Sequence, residues 1–139
     1  MRPFMLRLFL VPLAAAAFGC GGDINKLPTT PDPVFVTETY TGTLTVNGAQ
    51  THNVFTNATG AVVATITSLG ETPPSKVGFS LGTLGTTGTC SVVFHNDAAI
   101  VSTAFAGTVS TLGGSLCARI YDVGALTGPV AYTITVSHP

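Results

Sequence analysis

An all-β fold, an antiparallel β-sandwich or jelly roll of about eight short strands, is what the chain predicts for residues 34–139. Three observations predict it. Apolar residues recur with period two, breaks rich in Gly, Pro and Asn separate the alternating runs, and nothing beyond the first twenty residues shows a helical i, i+3, i+4 stripe.

In "TYTGTLTV", Tyr40, Leu44 and Val46 share a face with Gly42, while Thr39, Thr41, Thr43 and Thr45 take the other. Asn47-Gly48 follows with the left-handed residues that a hairpin turn requires. In "AVVATITSL", Val62, Ala64 and Ile66 oppose Val63, Thr65 and Thr67, and in "VGFSLG", Val77, Phe79 and Leu81 oppose Gly78, Ser80 and Gly82. The next strand starts at Cys90. Its alternation sets Cys90 inward with Val92 and Phe94, although adjacent Val92 and Val93 leave the parity open. Around "SLCARIY", Cys117 falls with Arg119 and Tyr121 on an outward face. The last strand, "YTITV", aligns Tyr132, Ile134 and Val136, so Tyr40 and Tyr132 both read as inward. Breaks are expected at "ATG", "ETPPSK", "TLGTTGT", "FHND", "TLGG" and "GALTGP".

The first nineteen residues read differently. Arg2 and Arg7 precede an apolar run, Leu8 to Ala17, broken only by Pro12 and ending in small residues shortly before Cys20. That run is half of the roughly 20 residues a membrane span needs, so residues 1–19 read as a secretory signal. The segment resembles a bacterial lipoprotein signal, with Ala17-Phe18-Gly19-Cys20 as its lipobox, departing from the family pattern at Ala17 and Phe18. The resemblance implies acylation of the Cys20 thiol, palmitate included, and hence a membrane as partner through several acyl chains. Ordinary signal cleavage, with Cys20 left in a tail, is the alternative. Gly21 stands where Asp would signal inner-membrane retention, so the expected site is the outer membrane of a bacterial cell envelope. Residues 20–33 contain "GGDINKLPTTPDP", a Gly- and Pro-rich flexible tether.

Once the signal is removed, five basic residues less Arg2 and Arg7 leave three against six acidic ones, a net charge of −3. Lys26, Lys76 and Arg119 are scattered, so nucleic acid is not an expected partner. With Cys20 acylated, Cys90 and Cys117 remain as an even pair in an oxidising compartment, which suggests one disulfide.

Residues 38–137 resemble the bacterial pre-peptidase C-terminal domain, a compact jelly-roll-like sandwich often appended to secreted proteases. The carriers are "GTL" at Gly42, "ATGAVVATITSL" from Ala58, "VGFSLGT" from Val77 and "GGSLCARIYDVGALTGPVAYTITV" from Gly113. In the last of these, Leu116 stands where the family usually has an aromatic. Some members bind calcium beside an acidic "GDxDLYL" strand. The matching "PPSKVGFSLGT" has no acid, and His52 falls about where an acidic turn residue would stand, so no calcium site is carried over.

The stock for metal or acid–base chemistry is His52, His95 and His138 with Asp97 and Asp122. Only His95-Asn96-Asp97 is tight, and it reads as a turn whose polar side chains bond the local backbone; zinc needs three or four ligands and no second motif supplies them. No G-x-S-x-G elbow marks a serine nucleophile. The expectation is therefore no catalytic residue, no metal and no cofactor. Arg119 and Tyr121 are the candidate ligand-binding pair; the plainer reading has the Arg119 stem covering Tyr121 and its head paired with a carboxylate. The expected role is a non-catalytic binding or adhesion module for a carbohydrate or protein. The alternative is a structural envelope protein that self-associates through Thr-rich faces.

Overall fold

Alternation becomes eight antiparallel strands in a computed structural model that describes residues 32–139. The signal segment, Cys20 and most of the tether lie outside the described residues. The strands are β1 (Val36–Leu44), β2 (Ala49–Phe55), β3 (Gly60–Ser68), β4 (Val77–Leu84), β5 (Cys90–Ala99), β6 (Ala104–Val109), β7 (Ser115–Tyr121) and β8 (Val130–His138). One sheet has the order β1-β8-β3-β6 and the other β2-β7-β4-β5. Thus β1 pairs with β8, β2 with β7, β3 with β6 and β4 with β5, as if one long hairpin were rolled over itself. This is a jelly roll.

The inner faces meet where the sequence is most apolar. Leu44, Val54, Ile66, Phe79, Ile120, Ile134 and Val136 are all fully buried between the sheets. Each such side chain contributes about 1.5–3 kcal/mol relative to exposure. The alternation predicted for β3, β4 and β8 holds on this inner face: Val62, Ala64 and Ile66, Val77, Phe79 and Leu81, and Tyr132, Ile134 and Val136 are all buried.

Asn47-Gly48 does not close a hairpin. Asn47 does adopt the left-handed conformation, at φ 57°, and Gly48 donates to the Thr45 carbonyl at 2.9 Å, but the chain then passes from β1 in one sheet to β2 in the other. A left-handed turn residue reverses the chain locally; whether the two strands then pair is decided by β8 and β7, which take β1 and β2 apart. Of the connections, only β4 to β5 joins neighbours in one sheet, through Gly85 and Gly88, where Gly88 at φ 77° donates to the Gly85 carbonyl. Val46 is also not part of the inward face, since it sits exposed in the arch.

Two further expectations change at β5. "FHND" is no break: His95, Asn96 and Asp97 continue the strand, and the chain turns later, at Ile100–Thr103. Register shifts between Val77 and Phe79, and between Leu81 and Gly82 on the β4 side, slip the parity of β5 twice. Phe94 therefore pairs with inward Leu81, whereas Cys90 and Val92 pair with Leu84 and Gly82 on the outer face. Cys90 is not inward.

Candidate ligand-binding face

The outer face of β4 carries almost no side chain, and its neighbours cover it. Gly78, Ser80 and Gly82 alternate with the core residues Phe79 and Leu81, yet all three are buried. Two bridges explain this. At one end the Tyr121 ring of β7 lies over Gly78, its cross-strand partner, so that a Cβ added there would stand inside the ring. Tyr121 then donates its hydroxyl to Asp97 on β5, spanning the whole of β4. At the other end Cys117 of β7 and Cys90 of β5 form a disulfide, with Cα atoms 5.9 Å apart. It crosses β4 at Gly82, where the Ser91 backbone occupies the space a Cβ would need.

Between the bridges lies one row of polar residues: Arg119 on β7, Ser80 on β4 and His95 on β5 are cross-strand partners. The Arg119 guanidinium carbon stands 5.3 Å from the Tyr121 ring centre, a cation–π contact. Arg119 thus meets Tyr121, as expected, but through its guanidinium head and not its stem. The expected carboxylate partner is not there, because no carboxylate lies within ion-pair distance of Arg119 among the described residues. The phenol of Tyr121 is pushed up to about 12, first by burial and then by the Asp97 bond and charge, with Arg119 opposing. It stays protonated and keeps donating. Ser80 Oγ has no hydrogen-bond partner, so it lacks the bond to a base that an activated nucleophile requires.

Asp122, the neighbour of this pair in sequence, works elsewhere. Its carboxylate accepts from the Asn47 backbone N–H at 2.8 Å and from those of Gly124, Ala125 and Leu126, while its own N–H donates to Gly48 O. These bonds, Asn47's first, hold the carboxyl below its ordinary value. The residue ties the β1–β2 arch to the β7–β8 loop, which is a structural task.

A second polar group lies on the open side where β1 faces β2. The Tyr40 hydroxyl donates to Glu38 and contacts the Asn53 carbonyl oxygen at 3.0 Å, and Tyr40 stacks on His52 at 4.8 Å between ring centres. His52 Nε2 is 2.8 Å from the Tyr132 hydroxyl, and that ring in turn covers Gly42. Burial lowers the His52 pKa from 6.5 and raises those of Tyr40 and Tyr132. His138 lies at the end of the same strands, 3.8 Å from Glu38. The three histidines thus sit in different places, and no group of three His, Cys, Asp or Glu side chains is arranged to hold a metal among the described residues.

No family model matches this chain, and no curated protein does. Among solved structures it is similar to the Yersinia pseudotuberculosis-derived mitogen, with a TM-score of 0.56 at 16% identity, covering 76% of this chain and 88% of that one. At that identity the likeness shows the shared β fold.

Sequence reasoning placed Arg119 and Tyr121 correctly on one outer face. It missed Ser80 and the two partners on β5, His95 and Asp97. The available signal was the run Gly78, Ser80, Gly82: three tiny residues at outward positions leave a strip that neighbours must cover.

Proposed function

We propose that the chain is a lipid-anchored protein of the bacterial cell envelope, held through Cys20 in the outer membrane, whose sandwich is a non-catalytic binding or adhesion module similar to the pre-peptidase C-terminal domain. The observation that carries the binding role is Arg119: an exposed guanidinium, oriented by an aromatic ring and without a carboxylate in ion-pair distance among the described residues, on a face crossed by a disulfide. Such a group is pre-organised to recognise an acid. The charged leader, short apolar run and Cys20 support the anchor.

A structural, self-associating role is supported by β5. It is a sheet edge exposing Val92 (47%), Val93 (60%) and Phe94 (40%) with no Lys or Pro to discourage pairing.

The test uses the full chain expressed in a bacterial host. Cys20→Ala should move it from the membrane pellet to the soluble fraction, and envelope glycan fractions retained by the parent should be lost from Arg119→Ala. Unchanged pelleting removes the anchor; equal retention removes the binding face; concentration-dependent oligomers without retention favour the structural role.

A further inference from the structure

Ser80 is 1% exposed and its hydroxyl has no partner. Burying a hydroxyl unpaired opposes folding. Here it sits at the middle of a row whose flanking members, Arg119 and His95, are both exposed polar groups. Cross-strand neighbours stand about 5 Å apart at Cβ, so one small ligand spans the row. Arg119 offers a fork of N–H donors with no carboxylate partner among the described residues. Asp97, beside it, accepts the Tyr121 hydroxyl on Oδ1, and Oδ2 accepts from no described residue.

We infer that this row, Arg119–Ser80–His95 with Asp97 at its edge, is a subsite for one carboxylate-bearing sugar residue of an acidic glycan. This rests on the binding reading above and names its ligand class. The carboxylate takes the Arg119 fork in a bidentate pair, with His95 alongside. Sugar hydroxyls beside it donate to Asp97 Oδ2 and exchange a hydrogen bond with Ser80. Arg119 and His95, the cross-strand partners of Ser80 on either side, are both exposed. A neutral glycan would leave the guanidinium unanswered. An acidic peptide would bring a carboxylate to Arg119 but no hydroxyl for Asp97.

The two bridges limit the subsite to a single residue. Tyr121 to Asp97 closes one end and Cys90 to Cys117 the other, so the exposed polar side chains between them are Arg119 and His95, flanking buried Ser80. The exposed polar residues Thr51 and Asn53 of β2, opposite Arg119 and Cys117, continue the same face for the rest of the chain of sugars.

The experiment is calorimetric titration of the full chain with tetragalacturonate at low salt, against its methyl ester and a tetraglutamate peptide. Binding is expected for the free uronate, with affinity reduced about tenfold or more by Arg119→Ala, since charged hydrogen bonds are of that size. Arg119→Lys should recover little, because a point charge cannot reproduce the fork. Ser80→Ala should weaken binding while leaving the melting temperature unchanged or raised. Equal binding of the ester, preference for the peptide, or no uronate binding overturns the inference, as does a Ser80→Ala variant that melts markedly lower. If the uronate fails but Arg119→Ala still loses an envelope fraction, the ligand class is wrong and the binding face stands.

Discussion

Where β1 faces β2, contact between the sheets runs through tyrosine hydroxyls and a histidine; where β5 faces β6, it runs through phenylalanine rings. On the first side Tyr40 reaches the Asn53 carbonyl and Tyr132 reaches His52, each pair joining one sheet to the other. On the second, Phe105 of β6 stacks between Phe79, 5.2 Å away, and Phe94, 5.9 Å away. The apolar side holds by area and dispersion, which do not depend on protonation. The polar side holds by directional bonds between titratable groups. One sandwich thus has one closure indifferent to pH and one that responds to it.

The largest break in this comparison should come from Phe79→Ala, which removes the fully buried end of the ring stack. Urea unfolding should show a loss of about 4 kcal/mol, equal at pH 5 and pH 8. Next is removal of the disulfide. Replacing Cys90 and Cys117 by Ser releases a closure over 27 residues and should lower stability by about 3.5 kcal/mol on the chain-entropy model. If reducing agent leaves the parent protein's unfolding curve unmoved, the bond carries no stability.

The smallest effect sharpens the polar side. Tyr132→Phe leaves His52 Nε2 without its partner and should cost about 1 kcal/mol. Because burial lowers the folded-state pKa of His52 from 6.5, the unfolded chain takes up the proton first. Stability from this residue is therefore full above pH 6.5 and declines as pH falls through the lower folded value. Tyr40 and Tyr132 are shifted the other way, so their contribution declines only as pH rises beyond 10.0. His52→Gln should flatten the acid limb while Phe79→Ala keeps it. An acid limb unchanged in His52→Gln assigns it to another group.

How much of this could be read from the residues differs strand by strand. β3 and β8 were legible because each has one apolar face and one polar one, the pattern that a half-buried sheet imposes. The outer face of β4 was harder: Gly78, Ser80 and Gly82 alternate correctly but are buried, with the Tyr121 ring of β7 over Gly78, more than forty residues away, and the Ser91 backbone of β5 over Gly82. At Asn47-Gly48 the turn chemistry was right and the pairing wrong, since turn residues act locally and sheet membership is a long-range choice. Along β5 the register shift at Val93 puts Cys90 and Val92 on the outer face while Phe94 keeps the inner one, and it falls at the adjacent Val92 and Val93 that left the parity open. Arg119 and Tyr121 were found because β7 has no such slip; His95 and Asp97 were hidden because "FHND" reads as a turn and instead continues β5.

The disulfide also decides what a proteolytic cut does. Cys90 and Cys117 enclose β5, β6 and the loop at Ser110–Gly114, so this stretch is a covalent ring. Loop tips are where proteases cut first, and Leu112, at 76% exposure, is such a tip. A single cut there opens the ring into a chain whose two parts stay joined through sulfur, with both edge strands still attached. A single cut between β3 and β4, outside the ring, would leave two pieces held together by strand pairing and packing alone. Wear on the Ser110–Gly114 loop is thereby made survivable, and the vulnerable side of the molecule is moved to the connections that no sulfur spans.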